Sequence, residues 1–171
     1  MNKTRRITIL AAFVSLAIVL SILESSIQIP IPIAGVKLGL ANIVTILVII
    51  TFGYKDAFIV VTLRCILVSV LSGSGLSIFL FSIAGGLLST LVMSLLYAFL
   101  RKNLSILGIS IAGSIAHNIG QITVACIWLN TFLVLTYLPV LLVSGVVAGI
   151  IVGIISKIVS DSMQKIKILK G

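Results

Sequence analysis

The chain alternates long uncharged apolar runs with short basic clusters, and its fold has to accommodate that alternation. Runs such as "ILGISIAG" (106–113) and "ITVACIWL" (122–129) contain no charged side chain, while the cations gather in "NKTRR", "GYKDA", "LRKN" and "MQKIKILKG". Of 171 residues, 60% are hydrophobic and 9% are charged, where a soluble domain carries about 25% charged residues. One globule of 18.1 kDa cannot hide so much apolar surface, so the expected solvent is lipid for most of the chain. The formal charge of +9 does not point to nucleic acid, because a nucleic-acid binder gathers its cations on one soluble face.

The pattern predicts a single all-α domain over residues 1–171, a polytopic membrane protein with six transmembrane helices. The spans run from about Ile7 to Ile27, Lys37 to Phe52, Ala57 to Leu71, Ser77 to Leu100, Leu104 to Leu129 and Thr136 to Val159, several of them near the ~20 residues that cross a bilayer core. The second and third are short, as expected of helices tilted less from the membrane normal or ending in a protein-lined cavity. The first is read as a retained helix, because no small-x-small cleavage site precedes polar sequence. "QIPIPIAG" (28–35) cannot be regular helix, since Pro30 and Pro32 remove donors and restrict their neighbours. "SGSG" (72–75) reads as a flexible turn, and "FGYKDA" and "LRKNLS" as tight hairpins.

With the N-terminus inside, Lys3, Arg5, Arg6, Lys55, Arg101, Lys102, Lys157, Lys165, Lys167 and Lys170 fall on the inner side, and only Lys37 on the outer. Such a bias predicts both termini in the cytoplasm; the expected location is a bacterial cytoplasmic membrane. The echo between "FSIAGGLLS" (81–89) and "ISIAGSIAH" (109–117) reads as two small-residue faces that let helices approach.

Ionisable groups inside a membrane cost about 2.5–3.5 kcal/mol each on the insertion scale, so their positions carry information. Ser21, Glu24 and Gln28 share one face of the first helix, at i, i+3 and i+7. Ser110, Ser114, His117 and Gln121 share one face of the fifth, beside a ridge of Gly108, Ala112, Ala116 and Gly120. With Asn42 and Arg64, these residues are expected at mid-depth or toward the outer face. Glu24, Asn42, Arg64, His117 and Gln121 are therefore the candidate substrate-binding residues. Each also has a structural alternative: Glu24 and Arg64 neutralising one another, His117 bonded to a carbonyl, Asn118 joining two helices. Ala11 and Ser15 form a small-xxx-small surface suited to a partner helix.

No catalytic residue set is found. The chain has no GxxxxGK[ST] loop, "AGG" and "GSG" are too short and apolar for nucleotide fingerprints, and the only acids, Glu24, Asp56 and Asp161, are far apart in sequence. Diphosphate chemistry with magnesium needs clustered carboxylates. No metal or cofactor is expected, Cys65 and Cys126 read as buried apolar thiols, and any energy for transport must come from a partner or an ion gradient.

"KLGLANIVTILVI" (37–49), "SIAGGLLSTLVM" (82–93), "GISIAGSIAHNIGQ" (108–121) and "YLPVLLVSGVVAGIIVG" (137–153) resemble the Gx transporter family, which also carries the label heptaprenyl diphosphate synthase component I. The similarity covers nearly the whole chain, with "LGLAN" and "AHNIGQ" its most specific pieces. The family looks like the substrate-binding (S) components of energy-coupling factor (ECF) transporters. That resemblance implies six helices, cytoplasmic termini, an outward-facing ligand pocket, and work with a transmembrane coupling protein and ATPase subunits. It also implies docking through an alanine-xxx-alanine motif, for which this chain offers Ala11 with Ser15 at the second place.

The expected function is thus a non-enzymatic, membrane-embedded subunit that captures a small molecule, anionic or with an anionic end, from the outer face. In that expectation Arg64 binds or counters charge, Asn42, His117 and Gln121 hydrogen-bond the ligand, and Glu24 orients Arg64 or a ligand amine. The alternatives are an accessory subunit of a polyprenyl (heptaprenyl) diphosphate synthase holding a lipid product, and a stand-alone carrier.

Overall fold

The computed structural model describes residues 2–25, 39–73 and 75–165, the side chains of 164 and 165 excepted. Among these residues the fold is all-helical. It comprises α1 (Lys3–Ser25), α2 (Asn42–Phe52), α3 (Tyr54–Ser72), α4 (Leu76–Leu100), α5 (Ile106–Leu129) and α6 (Leu138–Lys165), with a 3₁₀ turn at Leu133–Tyr137 before α6. The six helices fall where the apolar runs place them. The differences are at the ends: α1 and α3 start a turn earlier, taking in the basic residues Lys3 and Lys55, and α6 continues past Val159. The proline segment, Gln28 and Lys37 lie outside the described residues, and α2 begins only at Asn42.

Three of these helical stretches, Lys3–Ser25, Leu76–Leu100 and Leu133–Met163, are long and apolar enough to cross a membrane. α2, with 11 residues, is about 16 Å long at 1.5 Å per residue. Its short length has a structural reason. Asn42 through Ile49 are all buried, so α2 is a central helix packed against α1, α3, α4, α5 and α6. Ile46, Leu47 and Val48 at its middle are 0–1% exposed and join Phe13, Ala17, Val60, Met93, Ile109 and Val152 in the larger apolar core. Phe13 of α1 meets Phe52 at the end of α2 edge to face, with ring centroids 6.3 Å apart.

Tight connections hold neighbouring helices antiparallel. Gly53 alone joins α2 to α3, at φ +93°, a backbone region favouring glycine. α5 stops at Asn130, whose left-handed conformation turns its N–H onto the Cys126 and Ile127 carbonyls. Ser105 caps the other end of α5 by accepting from the Gly108 N–H at 3.2 Å. Arg6 on α1 and Asp56 on α3 form an ion pair at 2.6 Å, which brings the N-terminal ends of these two helices together.

Beside the apolar core, α1 and α6 bury polar residues and turn large apolar side chains outward. α1 buries Phe13, Ala17, Ser21 and Glu24 and exposes Leu16, Val19, Ile22 and Leu23. α6 buries Ser156 and Ser160 while Val143, Val147, Ile151 and Ile158 face out. Glycines govern the closest helix contacts. Gly145, Gly149 and Gly153 of α6 lie at strict fours against Ile115, Ile111 and Leu107 of α5; a Cβ at Gly149 would stand 2.5 Å from the Ile111 Cα. The spacing of Gly108, Ala112, Ala116 and Gly120 predicts the close-packing surface on α5 instead. Its Gly120 does serve there, meeting the Ala84 carbonyl of α4 at 2.8 Å from an added Cβ, whereas Gly108 faces Leu104 of its own turn.

Candidate functional site

The polar residues converge where α1 ends and α2 begins, against the middle parts of α3, α4 and α5. On α1, the stripe of apolar and polar positions turns Ser21 and Glu24 inward, at 5% and 4% exposure. The Glu24 Oε1 accepts a hydrogen bond from the Gly39 N–H and another, at 3.2 Å, from the Leu40 N–H. The carboxylate thereby fixes the turn that enters α2. Glu24 makes no salt bridge with Arg64: among the described residues the ion pair is Arg6–Asp56. The expected charge partner of Arg64 is instead a cap on a backbone turn.

Asn42 is the first residue of α2 and is fully buried, and neither its amide nitrogen nor its amide oxygen has a hydrogen-bond partner. It lies against His117 of α5. A Cβ added to Gly39, which sits at φ +89°, would stand 2.9 Å from Asn42 Nδ2 and 3.4 Å from His117 Cδ2 and Cγ. Gly39 thus has two reasons to be glycine: its backbone conformation, and the amide and imidazole that meet over it.

On α5 the i, i+3, i+7 spacing does what helical geometry demands. Ser110, Ser114, His117 and Gln121 all face inward, 0–3% exposed. Gly85 of α4 lies beneath the last two: its missing Cβ would stand 2.9 Å from Gln121 Cγ and 3.0 Å from His117 Cε1. The next residue, Gly86, gives the same clearance on another side, where an added Cβ would be 2.9 Å from Arg64 Nη2. Arg64 of α3 is 3% exposed, its Nε has no partner, and its Nη2 reaches only the Cys65 thiol, at 3.5 Å. Cys65 in turn lies 3.5 Å from Ser82 Oγ, so this thiol sits in a polar seam, not an apolar one. Cys126 is half-buried, and both thiols are free.

A buried guanidinium without a carboxylate is costly, by several kcal/mol before relaxation. Of the five proposed binding residues, the structure brings Asn42, His117 and Gln121 together through Gly39 and Gly85, with Arg64 beside them across Gly86. Glu24 joins through the Gly39 turn. Sequence reasoning missed the three glycines because they contribute the lack of a side chain. The strings "LGLAN" and "AGG" were the available signal. Asn118, on the adjacent face, donates from Nδ2 to the Leu141 carbonyl of α6 at 2.6 Å, the interhelical role considered for it. Ala11 and Ser15 are exposed on α1, and Ser15 bonds back to the Ala11 carbonyl at 3.0 Å.

No group of three or more His, Cys, Asp or Glu that could hold a metal ion occurs among the described residues. A shallow apolar groove of about 420 Å³, lined by Pro139, Val140, Val143 and Ser144, includes none of the polar cluster. Among the described residues the arrangement offers one cation, one carboxylate, a carboxamide, an imidazole and a second amide, all buried. That set can recognise a small polar anion; it contains no paired acids for diphosphate chemistry.

A family model described as heptaprenyl diphosphate synthase component I matches residues 13–159. No curated protein and no solved structure matches the chain.

Proposed function

The chain belongs to the heptaprenyl diphosphate synthase component I family, and from that premise we propose that it is a membrane-embedded binding subunit without catalytic activity of its own. In this reading all six helices lie in a bacterial cytoplasmic membrane with both termini inside, and the polar cluster opens toward the outer face. Support comes from the three long apolar helices, the outward apolar faces of α1 and α6, and the excess of cations on the loops at one end. The subunit captures a small anionic molecule and hands it on through an ECF-type coupling protein and ATPase subunits, as S components do.

One observation carries the binding role: the Arg64 guanidinium is buried at 3% exposure with no carboxylate bound to it. A fold that merely needed to be stable gains nothing from such a charge. An anionic ligand compensates it. Arg64 then supplies the charge contact, Asn42, His117 and Gln121 the hydrogen bonds, and Glu24 holds the Gly39–Leu40 turn against which they pack. Ala11 and Ser15 offer the surface for the coupling protein.

Purification of the native complex tests the partnership. Co-recovery of a transmembrane coupling protein and ATPases is the expected result; stoichiometric recovery without them would overturn the transporter reading. The family's description favours a second reading, in which the chain is an accessory subunit of a polyprenyl diphosphate synthase. That reading requires a soluble synthase to change its rate or product length when this protein is added.

A further inference from the structure

We infer that the ligand of this site is a monoanion that also carries an amide-type edge, one hydrogen-bond donor beside one acceptor, as a lactam or ureido group does. The inference rests on the small-anion capture reading and goes on to name the ligand's chemistry.

Asn42 carries the argument. A carboxamide offers two N–H donors and an oxygen acceptor in one plane, and buried polar atoms in folded proteins are overwhelmingly paired. At Asn42 both the nitrogen and the oxygen are buried and unpaired. Asn118 differs at its nitrogen. That residue is equally buried and its Oδ1 is also without a partner, yet its nitrogen reaches the Leu141 carbonyl at 2.6 Å. The fold therefore satisfies the amide nitrogen of an asparagine where the role is to join helices. At Asn42 it leaves donor and acceptor together, and the group complementary to such a pair is another amide edge.

The neighbours fix the rest of the ligand. Gly39 removes the side chain that would separate Asn42 from His117. Gly85 and Gly86 are consecutive on α4, one against His117 and Gln121, the other against Arg64. The hydrogen-bonding edge and the cation thus lie on either side of one helix turn. Among the described residues Arg64 is the cation of this cluster, and the Glu24 carboxylate accepts from the Gly39 and Leu40 N–H groups. A diphosphate brings more negative charge than one guanidinium offsets, and no acid cluster among the described residues is at hand to recruit magnesium.

The test uses the full-length protein in detergent and isothermal titration with matched pairs of acids. 5-Oxoproline is set against cyclopentanecarboxylate, and 3-ureidopropionate against 5-methylhexanoate; each partner keeps size and charge but lacks the edge. Inorganic diphosphate is the fifth probe. At least one edge-bearing acid is expected to bind about tenfold or more tighter than its partner, since a site built to hydrogen-bond rejects analogues that cannot. Asn42→Leu, and Asn42→Asp as a second variant, should reduce that preference to less than about twofold. Equal binding within both pairs would overturn the amide edge and leave anion capture standing. Diphosphate binding more tightly than every carboxylate would overturn the edge and favour the synthase-subunit reading. Failure of all five to bind would sink both the edge and the capture of small anions.

Discussion

The Asn118 side chain donates to the Leu141 carbonyl at 2.6 Å, bridging α5 and α6 at the point where Gly145 leaves room for it: a Cβ there would stand 2.9 Å from Asn118 Nδ2. Asn42, the first residue of α2, makes no such bond. The two asparagines should respond to substitution in opposite directions. Asn118→Leu removes a buried interhelical hydrogen bond and should cost about 1 kcal/mol. Asn42→Leu removes two unpaired polar atoms at nearly constant shape and should leave stability unchanged or raise it by up to about 1 kcal/mol. Thermal unfolding of both variants in detergent decides. A large loss on Asn42→Leu would return that residue to a structural role.

The α6 glycines make a sharper prediction about packing. Gly149→Ala places a Cβ 2.5 Å from the Ile111 Cα, and Gly153→Ala places one 2.8 Å from the Leu107 Cα. Backbone on both sides leaves nothing to rotate away, so each should destabilise by about 1–3 kcal/mol, as overpacked cores do. Gly53→Ala meets no atom within 4 Å, but φ +93° with ψ 178° is a backbone region essentially reserved to glycine, and leaving it costs about 1–3 kcal/mol without any clash. Melting temperatures should fall for all three variants, with Gly149→Ala below Gly153→Ala.

Gly85 and Gly86 separate folding from binding. At Gly86 two obstacles stand equally near, at 2.9 Å: the end of the Arg64 side chain, which can shift, and Cγ1 of the buried, stiff Val61. Gly86→Ala should lose less stability than Gly85→Ala and weaken anion binding about tenfold, the equivalent of about 1.4 kcal/mol. At Gly85 the obstacle includes the His117 backbone carbonyl, 2.9 Å away, so Gly85→Ala should lose both stability and binding. Titration calorimetry beside thermal unfolding checks the split; unaltered binding in Gly86→Ala would remove Arg64 from the site.

The Arg6–Asp56 pair predicts a modest, measurable coupling. Asp56 is nearly buried, at 7%, but the Arg6 side chain is half exposed, at 50%. Solvent screening on the arginine side limits the interaction to about 1 kcal/mol or less. A double-mutant cycle with Arg6→Ala and Asp56→Ala should return that value and shrink in high salt. A coupling near zero would mean the two helix ends are held by apolar packing alone.

Much of the architecture is readable because apolar runs and helical spacing are local properties of the chain. The inward stripe Ser114–His117–Gln121 follows from residue intervals alone, and the structure buries every member. Glu24 was legible as an inward carboxylate but its partner was not. That partner is a pair of backbone N–H groups fifteen and sixteen residues away, and backbone donors leave no mark in a side-chain pattern. The choice between Gly120 on α5 and Gly145–Gly149–Gly153 on α6 as the closest-packed ridge was equally hidden. Both sets are spaced by fours, and only the crossing of the helices decides which backbone is approached. α3 and α5, which carry Arg64, His117 and Gln121, are also absent from the helices that satisfy length and apolarity for crossing a membrane.

The central position of α2 also bears on how the protein is made. On the membrane reading, a helix of 11 residues covers about half of a ~30 Å hydrocarbon layer and cannot be threaded into it alone. Joined to α3 through Gly53 with no intervening loop, it would have to enter the translocon as one half of a hairpin. It would then wait, with its backbone ends exposed, until α4 to α6 were synthesised and closed around it. On that reading, the segment that carries Asn42 reaches its packed environment only once α4, α5 and α6 are in place around it.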